Sequence, residues 1–276
     1  MIDIRRIAFV GAGNMATALI GGLISRGLAR ERIVVSDPNK TQCDKLREDF
    51  GVAIADDNAA AAKGAEVLVL AVKPQQMQTV AQALSARLEA ATPLIVSVAA
   101  GINHASLTKW FGPRLAVVRT MPNRPALFGC GATALYAPPT VGAAERALAE
   151  AVMRAVGTTV WVDQESQMDT VTALSGSGPA YFFLFMEALE AGARARGLPA
   201  EVAHALTLQT ALGAAQMALQ ANDSLPVLRA QVTSAGGTTA AALAVLDAAD
   251  LRGIVAHALA AADRRSAELA AQFGGA

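Results

Sequence analysis

The chain has 276 residues, 53% of them hydrophobic and 17% charged, with 23 Lys+Arg balanced by 23 Asp+Glu. That is enough apolar surface for one large or two smaller domains. The zero formal charge and the lack of a basic stripe argue against nucleic acid as a partner, because phosphate neutralisation needs clustered cations. Mean hydropathy is positive at +0.37, but no uncharged apolar run reaches the roughly 18 residues a spanning helix requires.

The first 163 residues alternate between strand and helix signals. IAFV (7–10) leads into a glycine turn and an amphipathic segment. IVVS (33–36) precedes a polar helix, VAI (52–54) is short, and VLVLAV (67–72) is continuously apolar, as a strand covered on both faces must be. LIVSV (94–98) and AVVR (116–119) repeat the theme. After a helix over about 140–156, TVWV (159–162) is the last expected strand. The alternation predicts a parallel sheet layered by helices. The N-terminus enters this sheet directly after Arg5 and Arg6, with no signal-peptide pattern, and two cysteines, Cys43 and Cys130, suit a reducing cytoplasm.

The turn after the first strand reads Gly11-Ala12-Gly13-Asn14-Met15-Ala16, the G-x-G-x-x-[G/A] pattern of a dinucleotide site. Gly11 permits the tight turn, Gly13 lets a pyrophosphate approach the backbone, and Ala16 lets the helix sit close to the strand. The helix N-terminal amides then face the phosphates. Asp37, about 20 residues on, is placed to bind ribose hydroxyls, which favours NAD. Ser36, Asn39 and Lys40 can equally receive a 2′-phosphate, and a turn at SDPNK can direct Asp37 to solvent. Ala71 and Lys73 in AVKPQQ lie at the carboxyl end of the fourth strand, the ligand edge of an open α/β sheet. Ala99, Ala100 and Gly101 in SVAAGI are small enough to leave room for a nicotinamide ring. Asn123, held between Pro122 and Pro125 in MPNRP, can offer its amide to a ligand.

From Gln164 onward strand signals stop and alanine-rich helix formers run to the end, broken at SGSGP (175–179), GLP (197–199), NDSLP (222–226) and the Gly-Gly of VTSAGGTTAAAL (232–243). Four to six helices are expected. Their apolar faces are wide, and the small side chains suit close helix approach to a second copy. AYFFLFMEALEAGARAR (180–196) reads as a buried core helix, with Glu187 and Glu190 at a helix or subunit boundary. Gly236 and Gly237 cost about 1 kcal/mol each against alanine in a helix. In return their amides, with the hydroxyls of Thr238 and Thr239 opening the next helix, can form an anion nest. The alternative is a kink with Thr238 as N-cap. His104, His204 and His257 show no carboxylate–histidine constellation, and no Cys, His and acid spacing suggests a metal.

In order, FVGAGNMA, AVKPQ, SVAAGI, MPN, LSGSGPAY and VTSAGGTT resemble the pyrroline-5-carboxylate reductases, from Ile7 to about Glu268. The resemblance implies an α/β fold: an N-terminal Rossmann dinucleotide-binding domain over 1–163 and an all-helical substrate-binding and dimerisation domain over 164–276. It implies reduction of 1-pyrroline-5-carboxylate to L-proline, the last step of proline biosynthesis, with NADPH or NADH; NADPH is the expected preference. The partner it implies is a second copy in a homodimer, often assembled further into rings such as decamers; the composition and residue spacings above point to the cytoplasm, with no membrane, nucleic acid or metal. It places the cofactor along Gly11, Gly13, Asn14 and Met15, near Ser36, Asn58, Ala71, Lys73 and the Ala99–Gly101 segment. The substrate carboxylate falls to Ser234, Gly236, Gly237, Thr238 and Thr239 of the partner subunit, with Asn123 nearby. Thr239 is placed as hydrogen-bond donor to the imine nitrogen. Two residues depart from the family pattern: Ala235 stands where proline usually precedes Gly-Gly, and Arg124 where threonine commonly follows MPN. The rival readings are another imine or hydroxyacid reductase of the same two-domain plan, and a non-catalytic NADP-binding dimer.

Overall fold

The computed structural model describes residues 4–88 and 92–274. Eight strands form one sheet: β1 (Ile7–Val10), β2 (Ile33–Ser36), β3 (Ala53–Ile54), β4 (Val67–Leu70), β5 (Leu94–Ser97), β6 (Val117–Met121), β7 (Gly131–Tyr136) and β8 (Gly157–Trp161). Their order is β3-β2-β1-β4-β5-β6-β7-β8. All neighbours run parallel except β6 and β7, which pair antiparallel through Thr120 and Leu135. The chain leaves β1 toward β2 on one side and later returns to place β4 on the other. That reversal opens a crevice at the carboxyl ends of β1 and β4, where doubly wound sheets bind ligands.

The strand the sequence does not announce is β7. Its GATALY sequence carries one glycine and two alanines and follows Gly-Cys, so its apolar signal is weak. Pairing on both sides supplies what local propensity lacks.

The helices of this layer are α1 (Asn14–Ser25), α2 (Lys40–Phe50), α3 (Asn58–Ala62), α4 (Pro74–Ser85), α5 (His104–Phe111) and α6 (Ala143–Arg154). Their starts are written in the sequence. Asn39, Asp57 and Asn103 each accept a backbone N–H three residues on, and Pro74 opens α4, where its missing N–H costs nothing. Strand alternation divides the core. Ile7, Phe9, Ile33 and Val35 meet Leu19, Ile20, Leu23, Leu46, Val152 and Met153 on one face. Ala8, Val10, Leu68 and Leu70 meet Met77, Ala81, Leu84, Leu107 and Trp110 on the other. Each fully buried Leu, Ile or Phe contributes about 1.5–3 kcal/mol.

Six helices follow: α7 (Gln167–Val171), α8 (Gly178–Arg194), α9 (Ala200–Gln220), α10 (Leu225–Gln231), α11 (Thr238–Ala248) and α12 (Leu251–Phe273). The glycine-rich SGSGP segment is not an open loop. A π-type turn over Thr172–Gly176 carries the chain from α7 into α8.

The chain divides into two compact units. One runs to Ser177 and takes back the chain from Ala261; the other is Gly178–Ala260. The junction therefore lies beyond the 163/164 division expected from composition, and α12 contributes to both units. The sheet unit has a complete core. In the helical unit only Gly178 and Ala203 are buried. The expectation that 180–196 is a buried core helix fails for one chain: Phe182, Phe183 and Leu184 on α8 are 69%, 66% and 67% exposed. The large apolar side chains of α8 and α9 stay outside within one chain. A bare apolar face of that size marks a surface that another protein surface covers. Among the described residues no helix is long and apolar enough to cross a membrane.

Candidate cofactor and substrate sites

The turn from β1 to α1 is shaped by two glycines with different tasks. Gly11 has φ +106°, and its N–H donates to Ser36 O at 2.8 Å. A Cβ there would lie 2.5 Å from Ala71 O and 2.7 Å from Ala71 C. Only glycine lets the β1 turn nest against the end of β4. Gly13 is the N-cap of α1, and a Cβ on it would meet nothing within 4 Å. No side chain caps α1, so its first amides face the crevice. Asn14 is exposed and Met15 half-buried at this edge. A backbone held open at Gly13 beneath uncapped amides fits a dinucleotide diphosphate.

A cleft beside the turn is lined by Gly11, Ser36, Asp37, Asn58, Val72 and Thr79, among others. Ser36 is buried and its hydroxyl donates to Asn58 Oδ1 at 2.8 Å. Asp37 does not face away to solvent. Its Oδ2 accepts Ala12 N–H at 2.8 Å and its Oδ1 accepts Asn39 N–H at 2.7 Å. The acid thus braces the glycine turn and stands at the rim where a ribose would sit. Asp56 and Asp57 also line the cleft, and no lysine or arginine does so among the described residues. Negative charge at this rim suits ribose hydroxyls, while Ser36 and Asn58 offer polar groups to a 2′-phosphate. Lys40, expected as a phosphate partner, starts α2 and is not among the lining residues. Val72, Thr79 and the two aspartates were not anticipated. The N-cap pattern Asp57-Asn58 was the available signal for the latter.

Lys73 is the exposed N-cap of α4, and Ala71 N–H donates to Val10 O at 2.8 Å, so both stand at the carboxyl edge of the sheet. The β5–α5 connection follows: Ala99 is buried, Ala100 exposed, and Gly101 takes φ +73°.

Asn123 is buried, and its amide is already engaged. Nδ2 donates to Ser175 O and Oδ1 accepts Ala132 N–H, both at 2.9 Å. It ties the end of β6 to β7 and to the π-type turn, leaving one amide hydrogen for a ligand. A charged staple sits behind it. Arg119 on β6, 6% exposed, pairs with Glu165 at 2.9 Å, and the same carboxylate oxygen accepts His104 N–H at 2.6 Å. Burial pushes the His104 imidazole below its ordinary value, against the opposing pull of Glu165 and the Val117 carbonyl. Sequence reading missed this staple; the only signal was a charged residue closing an apolar strand.

In the helical unit, the glycine pair separates α10 from α11. Gly236 takes φ +69° and Gly237 is the extended N-cap of α11. Thr238 is therefore the first helical residue, not the cap. A Cβ on Gly237 would collide with Ser234 Oγ, and Gly237 N–H closes a turn onto Ser234 O at 3.1 Å. No side chain caps α11. Ser234, Gly236 and Thr238 are exposed, with Gly237 and Thr239 half-buried, so amides and hydroxyls gather at one surface point. His204 pairs with Glu190 at 3.0 Å between α9 and α8, a packing role. Among the described residues no group of three or more His, Cys, Asp or Glu is arranged to hold a metal.

Residues 6–101 match the family model described as NADP oxidoreductase coenzyme F420-dependent. With the glycine turn at the strand-order reversal, this defines the class: an NAD(P)H-dependent oxidoreductase on a Rossmann fold. Residues 165–269 match the model for pyrroline-5-carboxylate reductase dimerisation. The chain is 51% identical over 269 residues to the pyrroline-5-carboxylate reductase of Pseudomonas aeruginosa, covering 98% of each. Among solved structures, a pyrroline-5-carboxylate reductase from Coxiella burnetii superposes with TM-score 0.93 at 44% identity, covering 97% of this chain and 99% of that one. The Plasmodium falciparum enzyme with NADP bound gives TM-score 0.85 at 27% identity, covering 98% and 100%. The chain belongs to the pyrroline-5-carboxylate reductase family.

Proposed function

We propose that the protein reduces 1-pyrroline-5-carboxylate to L-proline with NAD(P)H, as the last step of proline biosynthesis. The observation that carries this reading is the pairing of two separately built anion cradles in one chain. One is the open glycine turn at Gly13; the other is the uncapped start of α11 behind Gly236 and Gly237. The first suits a dinucleotide diphosphate, the second a small carboxylate.

Gly11, Gly13, Asn14 and Met15 hold the diphosphate, Ser36 and Asn58 the adenosine end, and Ala71, Lys73, Ala99, Ala100 and Gly101 the nicotinamide half. The reduced nicotinamide, when bound, supplies the hydride. The chain's own task is position. Ser234, Gly236, Gly237 and Thr238 fix the substrate carboxylate so that the imine carbon stands about 3–3.5 Å from the donor carbon. The ring nitrogen arrives protonated, so the carbon takes the hydride and the nitrogen keeps its proton, giving the secondary amine. The Thr239 hydroxyl accepts the N–H of the protonated imine and donates to the lone pair that hydride transfer leaves on the nitrogen, so it orients the ring; a threonine hydroxyl is too weak an acid to do more. Asn123, with one amide hydrogen uncommitted, helps hold the substrate or its supporting turn.

The helices from 164 onward form the substrate-binding and dimerisation part and residues 1–163 the dinucleotide-binding part, a functional division supported by the span of the dimerisation match. A homodimer lends the glycine–threonine loop of one copy to the cofactor edge of the other, and dimers assemble further into rings such as decamers in the cytoplasm. The bare face of α8 supports the first of these steps. Purified protein incubated with pyrroline-5-carboxylate and NADPH or NADH tests the reading. It predicts cofactor oxidation matched by proline formation. Cofactor binding without turnover would leave a non-catalytic NADP-binding dimer, and turnover of a hydroxyacid instead would place the protein with other reductases of this plan.

A further inference from the structure

The last turn of α12 rests on the connection that carries Ala99–Gly101. Gly101 leaves space that a Cβ would fill at 3.6 Å from Ala270 N, Leu269 C and Phe273 Cδ2. Phe273 packs against the core cluster containing Ala99, Ile102 and Leu107. Ser106 donates its hydroxyl to Gly274 O, and a Cβ on Gly274 would stand 3.2 Å from Asn103 Nδ2. Two further bonds hold the same helix one and two turns earlier: Ser266 Oγ to Asp169 Oδ1 and Thr170 Oγ1 to Asp263 Oδ1, both 2.7 Å. A helix end ordinarily frays because its last carbonyls lack partners. Here the Gly274 carbonyl and the Phe273 ring are engaged at the 99–107 segment, while α7 holds the flank through Asp169 and Thr170.

We infer that the C-terminal turn of α12, through Phe273 and Gly274, is a positioning element that holds the Ala99–Gly101 loop in its cofactor-binding shape. The inference rests on the reading that this loop faces the nicotinamide half of the cofactor. Gly101 at φ +73° holds a left-handed backbone conformation that few other residues adopt, and a loop of small residues has few side-chain atoms of its own to fix it. A loop held from behind loses less entropy on binding, so the support is expressed in cofactor affinity more than in the chemical step.

The test is Phe273→Ala in the full-length protein. Cofactor binding is followed by NADPH fluorescence and turnover is measured separately. The expected result is a rise of about tenfold in NADPH Kd and KM, with kcat for the imine within about twofold of the unchanged protein, and recovery by Phe273→Leu. A role in folding alone would lower Tm and the active fraction while leaving Kd in place. If Phe273→Ala does not fold, Ser106→Ala removes the bond to Gly274 O and is read the same way, with a smaller rise in Kd expected. A folded variant of either kind with unchanged NADPH affinity overturns the inference. Absence of imine turnover in the unsubstituted protein would count against the proposed reaction, while the fluorescence titration would still decide the role of α12.

Discussion

At the scale of single residues, the glycine turn and the glycine pair are the positions where the sequence states its chemistry most clearly. Gly11→Ala must place a Cβ 2.5 Å from Ala71 O at φ +106°. A loss of about 2 kcal/mol or more in stability, with cofactor affinity abolished, is expected by urea unfolding and NADPH titration. Thr239→Ala should lower kcat/KM for the imine by about 10–100-fold while NADPH Kd stays unchanged, since the hydroxyl serves the substrate and not the dinucleotide. Asp37 was readable as an acid at the end of the second strand, but not where it points. Its bond to Ala12 N–H puts a carboxylate at the ribose rim. Asp37→Asn should therefore raise the ratio of kcat/KM for NADPH over NADH by about tenfold, the scale of one removed like charge near a phosphate. Asn123 shows the opposite limit. Its rigid proline setting was legible; the two bonds that engage it come from Ser175 and Ala132, far along the chain, and no local pattern announces them.

At the scale of elements, the strands with strong apolar runs were all legible because burial on both faces leaves no polar residue to interrupt them. β7 was not, since small residues can occupy a strand whose stability comes from its neighbours. The staple joining β6, α5 and the approach to α7 was equally invisible, because ion pairs formed across 46 residues leave no spacing signature. Glu165→Gln leaves the Arg119 guanidinium buried without its counter-charge and should cost about 2 kcal/mol by denaturant unfolding, discounted for the partial exposure of Glu165. Replacing both partners by apolar residues should restore part of that loss. His104, beside this staple, gives a pH signature. Its folded pKa is lowered from 6.5 chiefly by burial, so the folded state favours the neutral ring. Its contribution is fully present above the unfolded value and is lost as pH falls below about 6.5, by at most about 1.4 kcal/mol per pH unit. His104→Gln should shrink the stability difference between pH 7.5 and pH 5.5, measured by urea midpoints.

For the whole molecule, composition announced a second half made of helices but misjudged where their apolar faces go. A helix such as α8, carrying Phe182, Phe183 and Leu184, reads as core in sequence; in the single chain it is surface. The difference is physical, since the hydrophobic pattern records that a face is covered and not by which chain. Phe183→Glu together with Leu184→Glu should convert the assembly to monomers or unfolded chains in light scattering, with activity lost in proportion. The junction between units also escaped composition, because α12 is one unbroken helix that leaves no linker to read.

The central claim is that one copy's cofactor edge works with the other copy's glycine–threonine loop. Its sharpest test is complementation in trans: a Gly13→Asp chain, unable to take up the dinucleotide, co-expressed in equal amounts with a Thr239→Ala chain. Each variant alone is expected to be nearly inactive. Mixed dimers that share sites between copies regenerate one intact site each, so the mixture should recover about a quarter of the unsubstituted activity. No recovery above the two separate variants, in mixed dimers shown to have formed, would mean that each chain completes its own site.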